Sequence, residues 1–243
     1  MLQYVKKGCE SVDDLDFGFR TIVKLFEIDG QPVGFTTTII NTWIVMAALT
    51  VIALVVKHKL STFTDIPTGK FQNIVEAIVE ALEGMVTGAM GKEHKGFAPF
   101  YGSMLIFILF CNLLGLIGLR PPTADIATTF ALSITTFVMI QGYAIRTKKL
   151  SGYLKGFFEP IPLLFPINLF GELANPISLS FRLFGNLIGG TVIMALVYAA
   201  LPPLLRFGVP VVLHLYFDVF AGALQSFIFV MLSMTFVSAS LEG

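Results

Sequence analysis

Charge is what this chain has least of. Only 13% of its 243 residues are Asp, Glu, Lys or Arg, sixteen basic against sixteen acidic, where globular domains carry about 25%. That scarcity excludes a large soluble domain, and the zero net charge offers nucleic acid no electrostatic attraction. Cysteine is nearly absent: Cys9 and Cys111 are the only two. They lie far apart and Cys111 sits in an apolar run, so free thiols are expected rather than a disulfide framework. There is no G-x-x-x-x-G-K-[ST] phosphate loop, no cluster of Cys, His and carboxylates at metal-ligand spacing and no G-x-S-x-G nucleophile motif. No cofactor, no metal and no covalent chemistry by this chain alone are therefore expected. The first 30 residues mix both signs of charge and lack the order of a cleavable leader. The first internal apolar run is expected to direct insertion.

What the chain does have is apolar length. It is 55% hydrophobic with a mean hydropathy of +0.82, which predicts an all-α integral membrane protein. A spanning helix needs about 20 apolar residues. Runs over 36–56, 97–119 and 126–145 meet that need. Two longer ones, 165–201 and 209–239, are separated by Leu201-Pro202-Pro203. Each exceeds a perpendicular crossing, so the pair is expected to form a hairpin of strongly tilted helices. Between the first two runs, residues 57–95 are more polar. Within them Ile74, Ile78, Ala81, Leu82 and Met85 share one helical face, with Glu76, Glu80 and Glu83 on another. This predicts an amphipathic helix on a membrane surface or against a partner; a soluble loop helix is the plainer alternative. In Arg120-Pro121-Pro122-Thr123-Ala124-Asp125 the prolines stop one helix, and Thr123 or Asp125 caps the next.

Lysine and arginine orient the chain. Lys57, Lys59, Lys70, Lys92 and Lys95 fall in one loop, and Arg146, Lys148, Lys149 and Lys155 in another, whereas the 120–125 turn holds only Arg120. Both basic loops are expected in the cytoplasm, with residues 1–35 and the turn outside. The polytopic domain then covers 36–243.

Two lone charges mark the hairpin. Arg182 is the only charged residue between Glu172 and Arg206, and Asp218 the only one between Arg206 and Glu242. A guanidinium does not lose its proton in a protein, and at membrane depth it costs from a few to about 10 kcal/mol or more. At 100° per residue, Asn175, Ser178, Arg182, Gly185, Asn186 and Gly189 form one stripe of their helix. Such a stripe suits a close partner surface or a watery cleft. Tight small-xxx-small packing explains Gly185 and Gly189 equally well, though not the arginine. In the last run His214, Asp218, Ala221, Gly222 and Gln225 make a second stripe by the same count. A lone His214 is commonly structural, and Gln225 alone is an ordinary helix–helix bond. His214 one turn from Asp218 weighs more.

Arg182-Leu183-Phe184-Gly185-Asn186, with Leu224-Gln225-Ser226-Phe227-Ile228-Phe229 and Asn112-Leu113-Leu114-Gly115-Leu116, resembles the a subunit of F-type rotary ATP synthases, from Asn41-Thr42-Trp43 to the C-terminus. The resemblance implies a bacterial plasma-membrane protein, multi-pass, packed against a ring of c subunits that each carry a buried carboxylate. It implies further partners: the b-subunit peripheral stalk, the soluble nucleotide-processing head reached through the stalks, lipid, and protons or sodium ions. Arg182 matches the stator arginine, and Ser178, Asn186 and Gln225 match polar neighbours along the ion route. Glu172 resembles an acidic position common in bacterial members. One departure is informative. Where many bacterial members carry glutamate nine residues after the arginine, this chain has Thr191. Asp218 occupies a position where some of those members carry histidine. The resemblance assigns Asp218 to the outer half-channel, with His214 as helper. A stand-alone ion-coupled transporter also accounts for buried Arg182 and Asp218, although no paired halves of matching hydropathy are present. A membrane scaffold leaves both charges unexplained.

Overall fold

The structure, a computed structural model, describes residues 21–28, 31–60, 63, 69–158, 161–202 and 208–242. It is an all-α membrane fold with one small addition. Strands β1 (Thr21–Ile28) and β2 (Gln31–Thr36) pair antiparallel, Thr21 opposite Thr36 and Ile28 opposite Gln31. The rest of the expected 1–35 external segment lies outside the described residues, as does Cys9.

Among the described residues, five helical stretches are long and apolar enough to cross a bilayer. Helix α1 (Thr37–Leu60) begins where β2 ends. It buries only Thr38, Asn41 and Val45 and leaves Trp43, Val51 and Leu54 more than half exposed, as suits a helix that faces lipid on most sides. Its start is fixed by Asn41, whose Nδ2 donates to the Arg120 carbonyl at 2.8 Å. Helix α2 (Lys70–Met90) is the expected amphipathic segment. Its second half reaches the core: Leu82 lies against Gly102, and Val86 and Met90 join the buried cluster, while in its first half Gln72 is buried. Ile74 and Ile78 on the same predicted face remain exposed.

Helix α3 (Ala98–Leu113) follows a 3-10 stretch and unwinds through a 3-10 turn, Leu114–Ile117, into Gly118 at φ 79. That positive φ is glycine's own territory, and it ends the helix sooner than the apolar run does. Asp125 then caps α4 (Ile126–Gly156) by accepting from the Ala127 amide at 3.0 Å; Thr123 does something else, described below. Helix α4 continues to Gly156 through the basic residues expected to form a loop, with a kink at Lys149 (φ 59). Lysine and arginine are good helix formers, and the extension brings Tyr153 and Phe157 back onto the helix that follows.

Helix α5 (Phe165–Ala200) has 36 residues. The return limb is a short helix α6 (Val209–His214), a π-helical segment (Leu215–Ala221) and α7 (Gly222–Glu242). The core gathers Val86, Tyr101, Ile108, Leu179, Leu183, Phe229, Val230, Met234 and Val237. Apolar burial between helices gains little in lipid, so polar contacts add registry. Thr129 and Ser180 hydroxyls meet at 3.0 Å, and Thr136 and Ser233 at 2.9 Å, all fully buried. The first of these pairs sets the offset of α5 against α4. Thr129 is three residues into α4, whereas α5 runs twenty residues beyond Ser180. An upright α5 would overhang the start of α4 by about 25 Å at 1.5 Å per residue.

Candidate functional site

Helix α5 buries Leu179, Ser180, Leu183, Leu187, Gly190 and Met194, an i, i+4, i+8 edge. The Arg182 stripe lies about 110° round the helix from that edge. Ser178, Arg182 and Gly185 are exposed, while Asn175, Asn186 and Gly189 are half-buried. Among the described residues no hydrogen bond or ion pair reaches Ser178, Arg182 or Asn186. A Cβ added to Gly185 or Gly189 would meet nothing within 4 Å. The small residues therefore do not serve helix packing inside this chain; they flank an open surface. Thr191, where the resemblance expected an acid in other members, is exposed, and its Oγ1 donates to the Leu187 carbonyl at 2.8 Å on its own helix. Gln225 sits on the neighbouring α7, 8% exposed, with its buried Nε2 lacking a hydrogen-bond partner.

Asp218 is placed differently. It lies in the π-helical segment, whose wider i→i+5 turns break the constant 100° phase that aligned His214, Asp218 and Gln225 on paper. His214 Nδ1 is 2.6 Å from Asp218 Oδ2, and His214 Nε2 is 3.1 Å from the Tyr198 hydroxyl on α5. On the other side Asp218 abuts the 3-10 turn after α3: a Cβ on Gly115 would stand 3.3 Å from its Cγ. The buried Asn112 holds this arrangement. Its Nδ2 donates to the Gly222 carbonyl at 3.0 Å and lies 2.9 Å from Ser226 Oγ, while its Oδ1 accepts from Thr123 Oγ1 at 2.7 Å. Thr123 thus ties the 120–125 turn to the end of the π-helical segment.

Glu172 forms a third, separate nest near the start of α5. Its Oε2 accepts from Gln141 Nε2 at 2.9 Å and from the Tyr153 hydroxyl at 2.9 Å, and Tyr153 also donates to Gln141 Oε1. Twenty-six residues separate Glu172 from Tyr198, about 39 Å of helix, which exceeds a hydrocarbon core of about 30 Å. Arg182 stands between them. The seven sequence candidates therefore resolve into an open flank (Ser178, Arg182, Asn186), a buried amide on α7 (Gln225), a hydrogen-bonded cluster towards one end of α5 (His214, Asp218) and another towards the opposite end (Glu172). Tyr198, Asn112, Gly115, Thr123, Gln141 and Tyr153 complete the two clusters. Asn112, a lone amide in an apolar run, was the one with a readable signal; the others depend on which helices meet.

Known proteins match this chain over most of its length. A family model described as ATP synthase A chain matches residues 39–238. "ATP synthase subunit a" of Moorella thermoacetica is 36% identical over 222 residues, covering 91% of this chain and 97% of the relative. "ATP synthase subunit a, sodium ion specific" of Propionigenium modestum is 35% identical over 248 residues, covering 96% and 81%. "ATP synthase subunit a 2" of Acaryochloris marina is 34% identical over 208 residues, covering 85% and 86%. The lone arginine on an open flank and the long hairpin agree with those matches, and the chain belongs to the ATP synthase A chain family, the multi-pass a subunits of F-type ATP synthases.

Proposed function

We propose that this chain is the ion-translocating stator of the membrane sector, and that Arg182 is the fixed charge past which the carboxylates of a c-subunit ring move. The observation that carries this reading is Arg182 itself: exposed, without a hydrogen-bond or ion-pair partner among the described residues, on a flank whose glycines have open space before them. A ring carboxylate about 4 Å from the guanidinium gains roughly 4 kcal/mol at an effective dielectric of about 20. Near Arg182 it is ionised and releases its ion. Facing lipid, desolvation demands a neutral, occupied carboxyl. Alternation between the two environments makes rotation and ion transfer one process, driven by about 2.3 kcal/mol per charge per 100 mV. The same positive charge keeps a cation from crossing straight from one access path to the other.

The two polar clusters serve as the ends of those paths. With the basic segments 57–95 and 146–155 in the cytoplasm, the Asp218 cluster opens outward beside the Arg120 turn and the Glu172 cluster opens inward. Ser178, Asn186 and Gln225 line the approach to Arg182, and residues 1–35 form the external segment. The b-subunit peripheral stalk holds the chain against rotation, the soluble head on the stalks carries the nucleotide chemistry, and the host membrane is the bacterial plasma membrane. The test is ATP synthesis by the complete complex in proteoliposomes under an imposed ion gradient. Arg182→Ala is expected to abolish synthesis while the subunit still assembles; normal coupled synthesis by that variant contradicts the reading.

A further inference from the structure

Arg182 takes its place from its helix alone. Among the described residues no hydrogen bond or ion pair holds its side chain, so whatever fixes the roll of α5 fixes the guanidinium. Two residues before it, Ser180 is fully buried, and its Oγ lies 3.0 Å from Thr129 Oγ1 on α4. At 100° per residue, Ser180 and Arg182 stand about 160° apart round the helix. The contact therefore pins the side of α5 opposite the open flank, about 3 Å along the axis from Arg182. Its hydrogens can be assigned. The Thr129 hydroxyl donates to the Ile126 carbonyl at 3.1 Å on its own helix, and a hydroxyl has one hydrogen to give. Ser180 is then the donor between the helices and Thr129 Oγ1 the acceptor.

Two features of α5 give this bond weight. Pro176 lies buried inside the helix, four residues before Ser180. Proline has no N–H to donate to the carbonyl four residues back, so α5 is weakest just ahead of the anchor, between the Glu172 nest and Arg182. Apolar contacts between helices also have little driving force in lipid, so Leu179, Leu183 and Leu187 resist roll less well than a directional bond does. A roll of about 20° moves a group at the rim of a helix, about 5–6 Å from its axis, by about 2 Å. The same edge of α4 holds the other limb of the hairpin: Thr136, two turns on from Thr129, meets Ser233 of α7 at 2.9 Å.

We propose that Ser180 and Thr129 are positioning residues for the stator charge, and that their buried bond holds α5 at the roll that presents Arg182 to the passing carboxylate. The proposal rests on the stator reading of Arg182 given above. The attraction between a guanidinium and a carboxylate falls as their separation grows. With the bond lost, α5 is free to roll, the guanidinium stands farther off, and the carboxylate holds its ion more firmly. Discharge then slows. The Thr136–Ser233 bond has the same chemistry and is equally buried, but it ties the limb that lacks the arginine. It serves as a control within the same molecule.

The test uses the complete ATP synthase complex in proteoliposomes, with ATP synthesis under an imposed gradient of the coupling ion measured beside the yield of assembled complex. Ser180→Ala orphans no donor, because Thr129 keeps its bond to Ile126, so assembly is expected to stay within about twofold. Synthesis is expected to fall about tenfold, since a misplacement of about 1 Å can cost about 100-fold. That loss is expected to shrink as the coupling ion is diluted on the release side, where a more tightly held ion needs a lower concentration to leave. Ser233→Ala removes an equal bond and is expected to keep synthesis within about twofold. Normal synthesis by Ser180→Ala overturns the proposal, as does an equal loss in Ser233→Ala or a loss that ignores ion concentration. If Ser180→Ala does not assemble, Thr129 decides the matter. Thr129→Ser keeps the hydroxyl and loses a methyl, whereas Thr129→Val keeps the shape and loses the hydroxyl. Near-normal synthesis by the first with slowed synthesis by the second supports the proposal, and equal or reversed rates overturn it. Loss of assembly in Thr129→Val as well marks the pair as a folding contact and also overturns it. Arg182→Ala in the same vesicles separates the two levels. Loss of coupling there with normal synthesis by Ser180→Ala rejects the anchor alone, whereas normal coupling in Arg182→Ala rejects the stator reading beneath it.

Discussion

Arg182 and Asp218 are lone charges in the two limbs of one hairpin, and the chain treats them oppositely. Asp218 is built in: His214 meets its Oδ2, Gly115 leaves it room, and Asn112 fixes the helix on which it rides. Arg182 is left on an open flank, with no hydrogen bond or ion pair from the described residues. A charge that must pass an ion along benefits from fixed neighbours, since each holds a proton donor or acceptor in reach. A charge that must meet a succession of moving partners cannot have a permanent one, because a standing ion pair would neutralise it between encounters. The contrast supports the different duties proposed for the two residues.

The contrast is broken most severely at Arg182. Arg182→Ala is expected to abolish coupled synthesis while the chain keeps its fold, because among the described residues no hydrogen bond or ion pair holds the guanidinium. Circular dichroism and co-purification with the other subunits check the fold, and ATP synthesis checks the function. Asp218→Asn comes next: it keeps the shape and the contact with His214 but removes the titrating oxygen. Ion pumping should fall about tenfold or more with assembly intact; pumping at the normal rate would remove Asp218 from the path. Gly115→Ala sharpens the comparison from the other side. Its Cβ would stand 3.3 Å from Asp218 Cγ, so the carboxylate must shift by a few tenths of an ångström. A loss of about threefold in pumping is expected, with no effect on the single turnover of a ring already in contact with Arg182. The smallest effect is expected at Thr191→Val. The Thr191 hydroxyl bonds its own helix, so stability should change by no more than about 0.5 kcal/mol and pumping should stay normal. A large loss would show that Thr191 shares the duty that Asp218 performs here.

Most of the fold was legible because a bilayer leaves few choices. Apolar runs of about 20 residues must be helices, and the five runs appear as helices near their expected bounds. The differences have local causes. The α3 run stops early because Gly118 adopts a left-handed turn. The basic stretch in the second half of α4 stays helical because its residues favour helix and Tyr153 finds Glu172. The β1–β2 pair was not anticipated, since short strands next to a membrane helix carry little periodic signal against five long apolar runs.

At the site, the sequence by itself determined which charges matter. A permanent cation and a carboxylate, each alone in an apolar helix, are too costly to be incidental, and that cost is readable from composition and position. Only the tertiary structure decided which charge has neighbours. Helical phase placed Asp218 and Gln225 on one stripe, but the π-helical segment between them changes the turn per residue. Through it Asp218 faces Gly115 and His214, while Gln225 is buried. The link from Tyr198 to His214 depends on α5 folding back at Leu201-Pro202, and the nest around Glu172 on the extra turns of α4. Such contacts are set by the angles and offsets at which helices meet, quantities that no count of residues along one helix contains.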